Sequence, residues 1–270
     1  MDWNAKWIWL EGESSSQNFW LCARKVFNIQ EDAKEAKLHI TADSRYVVWV
    51  NGRRFGQGPI RSWQTSYHYD TYDLSGRLRQ GENVIAVLVT HYGVGTFQYI
   101  PGPGGLLAQV EITGADGRVQ YVGTDSSWRV MEHPSYDRHT PRISCQQAWV
   151  EHFDARLEPR CWQCADFDDS GWRQASEIGD VGCEPWTGLV PRPIPFLTEE
   201  PMYPVSVLSS RLVNPPKQVW AMNLRPSFLP GDFDANPRPI CGFVATTLRV
   251  DQETQVTLRL QSDWVNVNGR

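Results

Sequence analysis

Cys161 and Cys164 of "CWQC" have the spacing of half a zinc site, because two thiolates at i and i+3 can reach one tetrahedral ion. Cys145, His152 or Cys183 would have to complete the ligand set, and no second C-x-x-C is present. A dithiol redox reading would need the motif at a helix N-terminus after a strand, which its surroundings do not offer. Asp168 and Asp169 of "FDDSGW" are adjacent carboxylates, the raw material of an acid and base pair. Adjacent extended residues point to opposite faces, however, and Asp-Asp-Ser-Gly is turn chemistry, with Trp172 expected to tuck back onto the body of the protein. Gly93-x-Gly95 lacks the third glycine of a dinucleotide fingerprint and leads into an apolar run, not a helix that could hold a phosphate. No nucleophile elbow G-x-S-x-G occurs. The expectation is no metal, no cofactor and no catalytic residue in this chain.

A different chemistry is available in two loops. "GPIRSWQTSYHYD" carries Arg61, Trp63, Tyr67 and His68, and "HYGVGTFQYIPGPGGLL" carries His91, Tyr92, Phe97 and Tyr99. A pyranose needs an apolar face to stack on and fixed donors for its hydroxyls, and rings beside Arg and His supply both. These eight residues are the candidate carbohydrate-binding set. The bland alternative is that the rings pack the loops down or contact a neighbouring domain.

The elements that must position these loops read as short strands. "FWLCARKVFNI", "AKLHITA", "YVVWV", "YHYDTYDL", "NVIAVLVTHY", "GLLAQVEIT" and "RVQYVG" are rich in β-branched and aromatic residues and are separated by "NGR", "SGRLRQGEN" and "GADGR". That density of strands and turns predicts an all-β, antiparallel β-sandwich or jelly roll. "EDAKEA" is too short for a helix. Eight prolines between Pro185 and Pro216 predict an extended segment lying over the sandwich or connecting domains. The chain accordingly divides into residues 1–205, a sandwich with a Pro-rich tail, and 206–270, a second unit.

That second unit is suggested by a repeat. Leu38, Ile40 and Asp43 share their spacing with Leu258, Leu260 and Asp263, and both lines run on to Val-Asn-Gly-Arg. Asn-Gly after alternating apolar residues is the strongest short-range hairpin signal, so the chain is expected to stop at the first hairpin of an unclosed second sandwich. An unpaired edge of this kind predicts that the chain is the front part of a longer polypeptide.

Composition narrows the partners. A net charge of −5 without long basic runs argues against nucleic acid. The opening "MDWNAKWIWL" lacks the layout of a secretory signal, and no stretch reaches the roughly 18 apolar residues of a membrane span, so the expected address is the cytoplasm and no membrane partner is expected. Six cysteines would then be mostly reduced thiols. Thirteen tryptophans are numerous, but such rings also fill the cores and rims of β proteins, so their number alone identifies nothing.

"YVVWVNGRRFGQGPIRS" and "YDTYDLSGRLRQGENVIAVLV", followed in order by "TDSSWRV", "FDARLE", "FDDSGWRQA" and "LVPRPIPFLTEE", resemble the N-terminal non-catalytic region of bacterial α-L-rhamnosidases. The resemblance implies a galactose-binding-like jelly roll, followed by further sandwich and a downstream (α/α)₆ barrel that removes terminal α-L-rhamnose with inversion. Inversion needs two carboxyl groups spaced to admit a water, and in this family both belong to the barrel. Its acidic "RDER"-type stretch has no counterpart here, so residues 1–270 are expected to be non-catalytic. The partners implied are a rhamnosylated glycan and the downstream catalytic domain of the same chain. A stand-alone carbohydrate-binding module and a purely structural sandwich are the other readings.

Overall fold

The computed structural model describes residues 1–144, 146–212, 225–230, 242–247, 249–253 and 255. In chain order the first strands are β1 (Lys6–Trp9), β2 (Phe19–Ile29), β3 (Glu35–Asp43), β4 (Arg45–Val50) and β5 (Arg53–Gly58). They are followed by β6 (Tyr67–Asp73), β7 (Gly81–His91), β8 (Gly105–Thr113), β9 (Val119–Gly123) and β10 (Arg129–Glu132). Three short strands, β11 (Arg173–Gln174), β12 (Ser176–Asp180) and β13 (Leu189–Pro191), precede a single helical turn, α1 (Arg225–Phe228). One sheet has the order β12-β1-β8-β3-β6-β13, with β9 also paired to β8; the other has the order β11-β10-β2-β7-β4-β5. The pairings are antiparallel except that of β13 with β6. This is the β-sandwich expected from the strand pattern.

Why β2 and β7 carry nearly unbroken apolar runs becomes clear from what covers them. They pair over their whole length, from Phe19 opposite His91 to Ile29 opposite Gly81. Phe19, Leu21, Ala23, Phe27 and Ile29 enter the core between the sheets, where they join Leu38, Ile40, Val87 and Val110. The alternate residues Trp20, Cys22, Ala86 and Leu88 enter a second apolar layer closed by Trp162 and Trp172. A strand buried on both faces has no polar side to show, so alternation disappears. The other sheet is backed in the same way by Trp7, Tyr67, Leu107 and Trp186. Each such large side chain contributes about 1.5–3 kcal/mol by leaving water.

Turn chemistry behaves as its residues dictate. Asn51 and Gly52 both have positive φ, 49° and 77°, as a two-residue hairpin turn between β4 and β5 requires. Asn51 Oδ1 accepts from the Val84 amide at 3.0 Å, which ties this hairpin to β7. Asp168 accepts from the Ser170 amide at 2.9 Å, an Asx turn, and Trp172 returns into the second apolar layer as anticipated. The Asp168–Asp169 pair is therefore a folding device, and Asp169 is engaged with the buried Arg24.

Several strands were not anticipated. β1, β10, β11, β12 and β13 hold only two to five residues each, too few to establish a period, and β12 pairs with β1 across about 170 positions. The hairpin at 267–270 and most of the second unit at 206–270 lie outside the described residues. No helix among the described residues is long and apolar enough to cross a membrane.

The layer under β2 also contains a buried base. His133 Nδ1 accepts from the Ser135 amide at 3.2 Å, and the ring lies edge-on to Tyr136 and Trp162. Burial lowers its pKa from 6.5 to about 4. Above pH 6.5 neither folded nor unfolded chain holds this proton, so the group is silent. As pH falls from 6.5 towards 4, the unfolded chain takes up a proton that the fold refuses, and stability drops by about 3 kcal/mol from this group. Urea unfolding at pH 7 and pH 5 will show a loss of stability that His133→Gln, which keeps an acceptor without a proton-binding nitrogen, largely removes.

Candidate functional site

The register of both sheets brings the predicted loops to one end. Asp43 at the end of β3 lies opposite Gly105 at the start of β8, while His91 at the end of β7 lies opposite Phe19 at the start of β2. Thr90 pairs with Arg45 at the start of β4, and Tyr67 opens β6. The segment 59–66 and the long connection 92–104 therefore leave the sandwich at neighbouring points. Gln64 Nε2 donates to the Ile100 carbonyl at 3.1 Å and holds one loop to the other.

Beneath them lies a buried polar hub. Asp43 is wholly buried and accepts hydrogen bonds from the Tyr99 hydroxyl, from His91 Nδ1 at 3.2 Å and from the Tyr67 hydroxyl at 3.5 Å. A buried carboxylate is tolerated only where donors converge on it. Burial, with the Asp43 charge second, pushes the Tyr67 and Tyr99 phenols far up, so both stay protonated and keep donating. The Asp43 carboxylate makes the His91 Nδ1 position a donor, which fixes the ring's tautomer, and Trp9 lies edge-on to that ring at 5.7 Å. The hub is thus a rigid floor that fixes where the loops begin.

The eight candidate residues divide on this floor. Trp63 is 68% exposed and Phe97 55% exposed, and Arg61 is exposed beside Trp63. His68, Tyr92 and Tyr99 are partly buried. Tyr67 and His91 are buried, so they support the loops and present no face to a ligand, a correction to their expected place in the binding set. The reason is register: both stand within strands, under the loops, where the Tyr67 hydroxyl donates to the Ala42 carbonyl and to Asp43, and His91 Nδ1 to Asp43.

Local bonds shape the exposed part. Trp63 and Ser66 close a tight turn, with the Ser66 amide donating to the Trp63 carbonyl at 2.9 Å. Ser62 Oγ lies 2.9 Å from His68 Nδ1 and accepts from the His68 amide, and burial draws the His68 pKa down. The Tyr92 ring meets Tyr99 edge-on at 5.4 Å, and Trp149 Nε1 donates to the Tyr92 carbonyl. Sequence reasoning missed Asp43, Gln64 and Trp186, which position this end. The only signal was an aspartate closing an apolar strand, "HITAD".

Among the described residues no group of three or more His, Cys, Asp or Glu side chains is arranged to hold a metal ion. His133 and His139 have an H-x₅-H spacing, but His133 is turned into the aromatic layer and His139 faces solvent.

Two stacked sheets with aromatic loops held at one end define a β-sandwich domain. Residues 31–205 match the α-L-rhamnosidase N-terminal domain, and the chain belongs to that family. The solved GH78 family rhamnosidase of Bacillus sp. GL1 is 49% identical, with a TM-score of 0.73 over 77% of this chain and 22% of its own. An α-L-rhamnosidase of Streptomyces avermitilis is 32% identical over 51% of this chain and 14% of its own length. One from Alteromonas sp. strain LOR is 26% identical over 96% of this chain and 27% of its own. The chain thus spans about a quarter or less of the curated relatives it matches. The lectin of Pleurotus ostreatus, 27% identical with a TM-score of 0.51 over 69% of this chain, shares the fold.

Proposed function

We propose that this chain is the N-terminal accessory sandwich of an α-L-rhamnosidase whose hydrolysis of terminal α-L-rhamnosyl residues is carried out by a catalytic domain of the same polypeptide. The observation that carries this reading is the 49% identity to a GH78 family rhamnosidase, confined to 22% of that enzyme. Inversion at a sugar carbon needs an acid and a base with a water between them. Three carboxylates, the buried Asp43 beneath the loops, the buried Asp70 of β6 beside Arg192, and Asp169 beside Arg24, are engaged in internal bonds instead. Purified residues 1–270 are expected to release no nitrophenol from p-nitrophenyl α-L-rhamnoside. Turnover that co-purifies with the chain would overturn the division of labour.

The likeness to a lectin, together with the exposed Trp63, Phe97 and Arg61 of these loops, favours a second reading in which the loop end also holds sugar. Under it, L-rhamnose quenches or shifts the tryptophan emission of the isolated chain. Trp63→Ala then weakens the interaction at least about tenfold, the loss expected of a central aromatic anchor. A flat titration with the unaltered chain would leave the loops as a contact surface for the neighbouring domain.

A further inference from the structure

Among the described residues no metal-ligand set gathers around "CWQC", yet one tight turn carries both of its thiols. The Cys164 amide donates to the Cys161 carbonyl at 2.8 Å, closing a four-residue turn. Such a turn holds its end Cα atoms within about 7 Å, and disulfides span about 4.4–6.8 Å. Cys161 is exposed and Cys164 partly buried, and both are free thiols. Cys161 also adopts a φ of 57°, a conformation uncommon for a residue with a Cβ, where glycine would serve a purely structural turn at lower cost.

The turn is held from below. Trp162, between the thiols, is fully buried and meets Trp49 edge-on at 5.6 Å. Arg24 Nη2 donates to the Cys164 carbonyl at 2.6 Å. Fixing the backbone at both points means that closing a bond between the sulfurs demands little further ordering. An open depression of about 370 Å³, lined by Asn51, Arg79, Glu82, Cys164, Ala165 and Asp166, adjoins the second thiol and leaves room for a small reagent.

We propose that Cys161 and Cys164 form a reversible intramolecular disulfide by exchange with a small-molecule disulfide of the glutathione type. The exposed Cys161 loses its proton, and the thiolate attacks one sulfur of oxidised glutathione, releasing one glutathione thiolate and leaving a mixed disulfide. Cys164, deprotonated in turn, attacks the Cys161 sulfur and expels the second glutathione. The protein dithiol is oxidised by two electrons, one glutathione disulfide is reduced to two thiols, and the two protein protons end on them. Burial of Cys164, reinforced by the charge of Cys161, raises its thiol pKa, which makes the exposed partner the first to react. This chemistry is independent of any sugar chemistry at the loop end.

The test is to equilibrate the full chain with excess oxidised glutathione, alkylate, and map the cysteines by mass spectrometry. The peptide spanning 161–164 is expected to lose two hydrogens and resist alkylation until dithiothreitol is added. Cys164→Ser is expected to trap a glutathione adduct on Cys161, with tryptophan fluorescence confirming that the fold is kept. Should that variant not fold, the unaltered chain decides alone. Full alkylation of both thiols after oxidation, a lasting glutathione adduct on Cys161 in the unaltered chain, or a disulfide mapped to other cysteines would overturn the proposal.

Discussion

Arg24→Met will destabilise the sandwich by about 3–5 kcal/mol in urea or thermal unfolding, the range for breaking a buried ion pair by removing one partner. Arg24 lies on β2 with its side chain wholly buried. One guanidinium nitrogen donates to Asp169 and to the Phe167 carbonyl at 3.1 Å, and the other donates to the Cys164 carbonyl. The group also lies over the Phe167 ring at 5.3 Å. Methionine fills the space but takes the guanidinium donors away from the Phe167 and Cys164 carbonyls and the Asp169 carboxylate. Asp169→Ala should cost a comparable amount for the opposite reason, since it strands the guanidinium in an apolar layer. The double variant will lose less than the sum of the two, because each removal takes away the group that the other leaves stranded. Strict additivity would show that the two residues act separately.

Trp186→Ala will cost about 3–5 kcal/mol and lower Tm on the order of 10 °C, as expected for emptying the space of a buried tryptophan. Trp186 is fully buried and stacks on Trp7 at 3.9 Å. Gly105 at the start of β8 permits that approach: a Cβ there would lie 2.5 Å from the Trp186 ring. Two residues on, the Gly188 carbonyl accepts from the Tyr67 amide at 2.7 Å, and a Cβ on Gly188 would collide with the Thr65 carbonyl. Losing the stack therefore releases the segment entering β13 and loosens the turn that presents Trp63. Calorimetry reads the first effect. Acrylamide quenching, rising as the Trp63 loop and its neighbours open, reads the second. A variant with unchanged Tm would show that this segment contributes nothing to the fold.

Both variants act on contacts that sequence reasoning did not reach. Arg24 follows the apolar run "FWLCA" in its strand, and nothing in "FWLCARKVFNI" says that an irregular segment about 140 residues later will cap it. Trp186 sits among prolines in a stretch that reads as an extended connector. In the structure its tryptophan is inserted into the back of a sheet. Propensity and turn signals act over a few residues, whereas both of these burials depend on pairings across more than a hundred.

The sandwich itself, the tight turn at Asn51–Gly52 and the Asx turn at Asp168 follow from the amino-acid sequence by itself, because strand propensity, positive φ and side-chain-to-backbone bonds are local physics. The ordered framework phrases likewise sufficed to point to the family. Tertiary structure alone decided which aromatic residues face water. Alternation along a strand separates two sides without saying which is covered, and here both sheets are covered on their outer faces as well. For that reason Tyr67 and His91 became a buried floor while Trp63 and Phe97 stayed exposed. The two thiols of "CWQC" share one fixed turn for the same reason: Trp162 and Arg24 anchor that turn to a sheet the local sequence does not contain.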